Sequence, residues 1–246
     1  MPRRSRLLVL EDDVLIRRFI SMALADLPVD IVNAGSILQA KERLAGGDVD
    51  LLISDLMLPD GHATDLLRSL RDDPRHAGLR IVILSAGLTS AVRPRLAGLG
   101  VFRVLDKPVP YAELIACVEQ ALADRDAPVG VPAAVTSSLS VTQRERAIED
   151  HFGGQASLFD EFLANCVAQL PSDVEAGDRA CENGDVQSLR RVAHNFKSVL
   201  QLIGDAHGHA MAGRLEHAVA EGEALASLMP AWQRLGQHVA SLCARP

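Results

Sequence analysis

The sequence predicts an α/β domain followed by an all-helical domain, and three observations carry this prediction. In the first half, short apolar runs alternate with amphipathic segments of helix length, which is typical of a parallel sheet covered on both faces. Residues 124–140 are rich in Pro, Ser, Gly and other small residues without a helical period, which predicts a linker. After this stretch only helical periods occur.

The first domain, residues 1–123, contains five apolar runs of strand length, each followed by a helical segment. The run that ends at Asp55 has no polar alternation, as expected of a strand buried on both faces. The predicted strands are RLLVL (6–10), VDIVN (29–33), VDLLISD (49–55), LRIVILS (79–85) and VFRVL (101–105), and the helices span 14–27, 36–46, 63–73, 89–100 and 110–123. The predicted fold is a flavodoxin-like, doubly wound five-stranded parallel sheet.

The second domain, residues 141–246, shows helical periods separated by glycines. The predicted helices span 142–152, 155–182, 185–203, 206–222 and 224–243. Short breaks between helices of this length favour an antiparallel helical bundle.

Charge and cysteine content narrow the classes of function. Residues 1–123 carry 15 Lys and Arg against 16 Asp and Glu, and residues 124–246 carry 10 against 16, within totals of 25 and 32. Neither half has the basic surface that phosphate-backbone binding requires, so no nucleic-acid partner is expected. The four cysteines form no CxxC pair, and the apolar run near the N-terminus is too short for a signal peptide or a membrane span. We therefore expect a cytoplasmic protein with no membrane partner.

Polar side chains follow four of the five predicted strands. They are Glu11, Asp12 and Asp13 after the first strand, Asp55 in the third, Ser85 in the fourth, and Lys107 after the fifth. Each could instead be a helix cap, a turn residue or a solvated charge. Together they fall at the carboxyl edge of the sheet, where ligands collect in this fold. Packed carboxylates need a cation, and oxygen ligands suit Mg²⁺, beside which a carboxylate can act as a nucleophile toward phosphorus.

The segments LLVLEDDVLIRR, LLISDLMLPDG, IVILSA and VLDKP resemble the receiver domain of two-component response regulators over residues 6–123. The resemblance implies Mg²⁺ as cofactor and a role for each site residue. These roles are Asp55 as phosphoacceptor, Asp12, Asp55 and the Met57 backbone carbonyl as metal ligands, Glu11 as a ligand through water, Ser85 as the switch hydroxyl, and Lys107 as the phosphate-binding amine. On this basis Lys107→Ala is expected to impair the activated state more than the fold.

Two positions depart from the receiver pattern. Val104 stands where the family usually has Tyr or Phe, so an aromatic rotamer switch is not expected. Ala63 replaces a glycine that many receivers have after the phosphoacceptor, which the fold is expected to tolerate.

A histidine in the second domain, His194, also has charged and polar residues near it in the predicted helix. The apolar stripe of its helix consists of Leu189, Val192, Phe196, Val199, Leu200 and Ile203. Helical geometry puts His194 on the opposite face, near Arg190, Lys197 and Gln201. A lone exposed histidine is ordinarily solvated surface. A phosphoryl-accepting imidazole, however, needs access, a rigid mount and nearby cations, which this position offers.

The run AHNFKSVLQLIGDA resembles the phosphorylation helix of a histidine phosphotransfer domain, and the similarity covers roughly residues 142–243. His194, Lys197 and Gly204 match that pattern, which implies that His194 carries phosphate and that Lys197 helps to hold it. Ser198 stands where the family commonly has Gly, and its hydroxymethyl group is expected to slow docking of a receiver.

The leading hypothesis is a two-domain phosphorelay protein that is not an enzyme, apart from the receiver's promotion of its own phosphorylation and dephosphorylation. The expected partners are a sensor histidine kinase, separate receiver domains, or a second copy of this chain. One alternative is an interaction module whose receiver regulates the bundle as a kinase inhibitor or phosphate sink. Another is a hydrolase with Asp55 as nucleophile, which Met57 argues against because a second Asp is needed there. A metal site at His207, His209 and His217 is not expected, since the first two share no helical face.

Overall fold

The computed structural model describes residues 4–85, 96, 98–123 and 143–244. The chain divides into two compact units, with the boundary between Ser140 and Val141. The predicted linker lies outside the described residues, as does most of the predicted helix 89–100. Among the helices that are described, none combines the length and the apolar character that crossing a bilayer requires.

The first unit contains the predicted five-stranded parallel sheet. Its strand order is β2-β1-β3-β4-β5, and every neighbouring pair is parallel. The strands are β1 (Ser5–Leu10), β2 (Val29–Ala34), β3 (Leu51–Asp55), β4 (Arg80–Ser85) and β5 (Arg103–Asp106), and the helices are α1 (Val14–Ala23), α2 (Ile37–Leu44), α3 (Ala63–Asp72) and α4 (Tyr111–Ala123). All five residues of β3 are buried, which agrees with its unbroken apolar run. This sheet confirms the flavodoxin-like fold predicted from the sequence.

The second unit consists of helices in its described part. They are α5 (Gln143–Phe152), α6 (Ala156–Glu182), α7 (Val186–Leu202), α8 (Ala206–Ala220) and α9 (Leu225–Cys243). Gly184 and Gly204 end α6 and α7 with φ of 71° and 80°, a left-handed conformation that glycine adopts without steric cost. The helices therefore begin and end close to where the sequence predicted, and α8 stops two residues before the predicted position 222.

Aromatic side chains hold this second unit together. Four of the six phenylalanines and the single tryptophan of the chain are buried in it. Phe196 of α7 stacks on Trp232 of α9 at a centroid distance of 6.1 Å. Gly177 of α6 makes room for this indole, because a Cβ there would stand 2.1 Å from the ring. Helix α7 is thus anchored by tight packing on its buried side.

Candidate functional site

The polar residues predicted at the strand ends converge at the carboxyl edge of the sheet. Glu11 follows β1, Asp55 ends β3, and Lys107 follows β5. One ligand oxygen from each of Glu11, Asp12 and Asp55 lies within 4.8 Å of the others. Because β1 and β3 are neighbours in the sheet, their carboxyl ends bring these acids together. We call Glu11, Asp12, Asp55 and Lys107 the carboxylate pocket.

Lys107 joins two of the carboxylates in this pocket. Its ammonium donates to Glu11 Oε2 at 2.5 Å and to Asp55 Oδ2 at 2.7 Å. The three side chains are at most 5% exposed. Lys107 is expected to matter more for the activated state than for the fold, and its burial between two carboxyl groups gives it a structural role as well.

The pKa values of this cluster show the effects of burial and of the neighbouring charges. Burial raises the pKa of Glu11 to about 8, and the Asp55 and Asp13 charges add to the rise while Lys107 opposes it. For Lys107, burial by itself would lower the pKa, but the Glu11 and Asp55 carboxylates outweigh it and the pKa is raised. The lysine therefore stays charged, and the pocket carries more negative charge than one ammonium can balance.

The second oxygen of Asp55 is held by the loop that follows it. Oδ1 accepts hydrogen bonds from the backbone N–H groups of Leu56 and Met57, at 2.5 and 3.2 Å. Oδ2 faces Lys107. The carboxylate is therefore fixed in orientation while it lies beside the other acids.

The remaining predicted residues of this edge have distinct positions. Asp13 caps α1, as its Oδ1 accepts from the N–H groups of Leu15 and Ile16. Ser85 is buried at the end of β4, and its carbonyl accepts from the Lys107 N–H at 2.6 Å. Val104 is partly buried and packs against the core of this unit.

The donor set of the pocket fits a hard divalent cation. Three carboxylates within reach of one point supply the oxygen ligands that Mg²⁺ prefers. Within the described residues, this is the one group of three or more carboxylate, imidazole or thiol ligands close enough to share an ion.

The second unit brings together His194, Lys197 and Glu216, which we call the histidine cluster. Glu216 Oε1 lies 2.7 Å from His194 Nδ1, and Oε2 accepts from the Lys197 ammonium at 2.5 Å. The three side chains are 17 to 21% exposed. Burial alone would raise the pKa of Glu216, but the hydrogen bonds and charges of His194 and Lys197 lower it to about 2.

This arrangement corrects the predicted surroundings of His194. The imidazole does not lie on an open helix face but packs against α8, with most of its surface covered. Ser198, predicted to stand at the docking surface, is only 4% exposed. Val192 and Ile203 of the predicted apolar stripe are only partly buried, whereas Ala193 is fully buried.

Sequence reasoning missed Glu216. It lies 22 residues after His194 on another helix, and the helical period of either segment does not reveal which residues face each other across the pair. An acidic residue on the next helix, Glu216 in GRLEHAV, was the only sign available.

Four of the other histidines of this unit have contacts with neighbouring residues. His238 Nε2 lies 2.6 Å from Asp205 Oδ2, and its ring meets that of His207 edge-on with centroids 5.2 Å apart. His209 Nδ1 lies 2.9 Å from the carbonyl of Lys197. His217 pairs with Glu221 on the surface.

Comparison with known proteins bears on the first unit. The family model "Response regulator receiver domain" matches residues 7–119. The DNA-binding transcriptional regulator NtrC of Azospirillum brasilense is 34% identical over 130 residues, which is 52% of this chain but only 26% of that protein. The two-component response regulator ORR12 of rice (Oryza sativa subsp. japonica) is 33% identical over 109 residues, which is 44% of this chain and 89% of that protein.

Among solved structures, a two-component response regulator from Legionella pneumophila is 24% identical with a TM-score of 0.45, covering 49% of this chain and 99% of that one. The match to ORR12 includes nearly all of a protein that is itself a response regulator, and the model match spans β1 to α4. The chain therefore belongs to the response regulator family, with a receiver domain at residues 7–119.

Proposed function

We propose that this protein is a phosphorelay component in which the receiver accepts phosphate on Asp55 and the helical unit carries phosphate on His194. The observation that supports the first half is the carboxylate pocket, in which Asp55 is oriented by two N–H groups and by Lys107 beside two further acids. The second half rests on the histidine cluster and on the resemblance of its helix to histidine phosphotransfer domains.

The residues of the pocket have separate tasks in this proposal. Asp12, Asp55 and the Met57 carbonyl would hold Mg²⁺ directly and Glu11 through water, and the ion would neutralise the charge that develops on the phosphoryl oxygens. The Asp55 carboxylate attacks the phosphorus of the donor, and the bond to the donor's leaving group breaks. Lys107 then turns from Asp55 to the phosphoryl group, and the Ser85 hydroxyl donates to one of its oxygens.

The histidine cluster supports Nε2 as the nitrogen of His194 that accepts phosphate. Because the pKa of Glu216 is about 2, its carboxylate is ionised near neutral pH and accepts the Nδ1–H of His194. The lone pair is then on Nε2. In the transfer, the aspartyl O–P bond of the donor breaks and an Nε2–P bond forms, while the proton stays on Nδ1. Glu216 balances the resulting imidazolium, and Lys197 lies close enough to neutralise the phosphoryl group.

The phosphate would pass between this protein and a sensor histidine kinase, separate receiver domains, or a second copy of the chain. Mg²⁺-dependent labelling tests the receiver, and transfer from a labelled receiver domain tests the bundle. Asp55→Asn should abolish labelling by [³²P]acetyl phosphate, and the exposed Asp65→Asn should not. His194→Gln, in an Asp55→Asn background, should abolish acid-labile label received from a phosphorylated receiver, and the exposed His217→Gln should retain it.

The alternative, an interaction module that regulates the bundle without onward transfer, has one observation in its favour. His194 is only 18% exposed, so a receiver must approach it closely. Under this alternative Asp55 is labelled, but His194 accepts no phosphate from any donor. Equal labelling of the Asp55→Asn and wild-type proteins would instead contradict the assignment of the phosphoacceptor.

A further inference from the structure

Asp60 connects the loop after the phosphoacceptor strand to a helix that is distant in sequence. Its Oδ1 accepts from the Ile37 N–H and its Oδ2 from the Leu38 N–H, both at 2.9 Å. These donors are 23 and 22 residues away and belong to the first turn of α2. A carboxylate that uses both oxygens on the free N–H groups of a helix start is held in one orientation.

A simple helix cap explains only part of this arrangement. Helix α2 already has a cap of its own, as Ser36 Oγ accepts from the Gln39 N–H at 3.2 Å. The helix has eight residues, of which only Ala40 and Leu44 are buried. Asp60 therefore stabilises a short, weakly packed helix, but the same two bonds also fix the position of Asp60 and of the loop that carries it.

That loop, residues 56–61, directly follows the phosphoacceptor Asp55 and fixes its orientation. Its start donates the two N–H groups to Asp55 Oδ1. Its middle forms a two-residue antiparallel ladder, in which Met57 pairs with His62 and Leu58 with Gly61. Pro59 and Asp60 at its tip are exposed. The two bonds to α2 thus hold the tip, where burial does not.

We propose that Asp60 is a positioning residue for the chemistry at Asp55. By clamping the tip of loop 56–61 to α2, it sets where the Met57 backbone lies relative to the carboxylate pocket. The Met57 N–H orients Asp55, and the Met57 carbonyl is the one backbone ligand assigned to the metal, so a shift of this peptide alters both. The role rests on the proposed function of Asp55.

The clamp works in both directions. If the loop position set by Asp60 favours metal binding, metal binding must in turn favour the clamped loop by the same free energy. Mg²⁺ should therefore slow hydrogen exchange at the Ile37 and Leu38 amides, which lie on a different element from every assigned ligand. A helix cap without coupling to the pocket would leave their exchange unchanged by Mg²⁺.

The experiment compares Asp60→Ala and Asp60→Asn with Asp73→Ala in the full chain. Asp73 is a matched control, because it caps a short 3₁₀ turn of the same unit through the Arg75 N–H and precedes β4, away from the carboxyl edge. Asp60→Ala should weaken Mg²⁺ binding, measured by calorimetry, by about tenfold, as loss of a residue that orients metal ligands does. Asp60→Asn keeps one acceptor and should fall between Asp60→Ala and the wild type, while Asp73→Ala should match the wild type.

Labelling by acetyl phosphate at saturating Mg²⁺ separates positioning from metal affinity. Asp60→Ala should remain slower than the wild type under these conditions, because the N–H groups on Asp55 are still misplaced. The inference is overturned if Asp60→Ala exposes the α2 amides to exchange yet keeps wild-type Mg²⁺ affinity and labelling. If Asp60→Ala does not fold, Asp60→Asn is judged by the same criteria. Labelling of Asp55→Asn would contradict the proposed function, whereas the Mg²⁺ and exchange measurements would still decide the role of Asp60.

Discussion

The carboxylate pocket and the histidine cluster are built from opposite charge patterns. In the receiver, one ammonium, Lys107, lies between the carboxylates of Glu11 and Asp55. In the helical unit, one carboxylate, Glu216, lies between the imidazole of His194 and the ammonium of Lys197. The first set is at most 5% exposed and the second 17 to 21%.

The difference indicates which kind of charge each site lacks. The pocket has three acids and one lysine, so it gains from a further cation. The histidine cluster has an ionised carboxylate shared by two potential cations, so it gains from an anion that either can meet. Under the proposed function, a divalent metal meets the first need and a phosphoryl group the second. Burial makes the first site the more sensitive to loss of a charge.

Lys107→Ala should have the largest effect on stability. It leaves Glu11 and Asp55 buried without their cation, which should reduce the free energy of unfolding of the receiver by about 3 kcal/mol. Mg²⁺ should restore part of this loss, because it supplies the missing positive charge. Hydrogen exchange at β1 and β3 amides in urea measures the free energy of unfolding of the receiver. Trp232 fluorescence measures that of the helical unit separately.

The exposed Lys41→Ala, on α2, is the control for loss of a lysine charge and should be neutral. A receiver that keeps wild-type stability in Lys107→Ala without Mg²⁺ would show that the buried pair contributes nothing, and the original expectation for Lys107 would stand.

Glu216→Gln should have a smaller, pH-dependent effect on the helical unit. The pKa of Glu216 is lowered from 4.5 to about 2, so its ionised form is favoured by folding. Its contribution, on the order of 2 kcal/mol, is therefore present above about pH 4.5 and is lost as the pH falls toward 2. Urea unfolding followed by Trp232 fluorescence should show the wild type and variant converging as the pH falls through this window.

Glu221→Gln is the control, because that carboxylate is 61% exposed and directly follows α8. A gap between wild type and Glu216→Gln that stays constant from neutral pH to about pH 3 would mean that the substitution acts through packing and not through the lowered pKa.

The carboxylate pocket could be predicted from the sequence across several strands, whereas the histidine cluster could be predicted only as far as one helix. The apolar runs predicted the strands, and the rule that ligands collect at strand ends brought Glu11, Asp55 and Lys107 together before any coordinates. The sequence could not predict contacts between two elements when it does not fix how those elements lie against each other. Glu216 and the Asp60 clamp are both of this kind, since PDG reads as an ordinary turn.

The buried face of α7 shows the same limit. The sequence predicted one stripe through Val192 and Ile203, but α7 packs against α5, α6 and α8. A helix with neighbours on several sides buries a wider arc than one stripe, so Ala193 and Ser198 are buried as well. Periodicity finds the centre of such a face but not its width.

Ser198→Gly is the substitution with the smallest expected effect, and it separates two accounts of this position. If Ser198 stood at the docking surface, glycine would remove an obstacle and speed phosphate transfer to His194. Because Ser198 is only 4% exposed, we expect a transfer rate within about twofold of the wild type and a loss of about 0.5 kcal/mol in the free energy of unfolding, from the lower helix propensity of glycine. The same change at Ser241, an exposed position of α9, gives the propensity cost without burial. Initial transfer rates and urea unfolding by Trp232 fluorescence measure both quantities, and transfer several-fold faster at unchanged stability would place Ser198 at the docking surface after all.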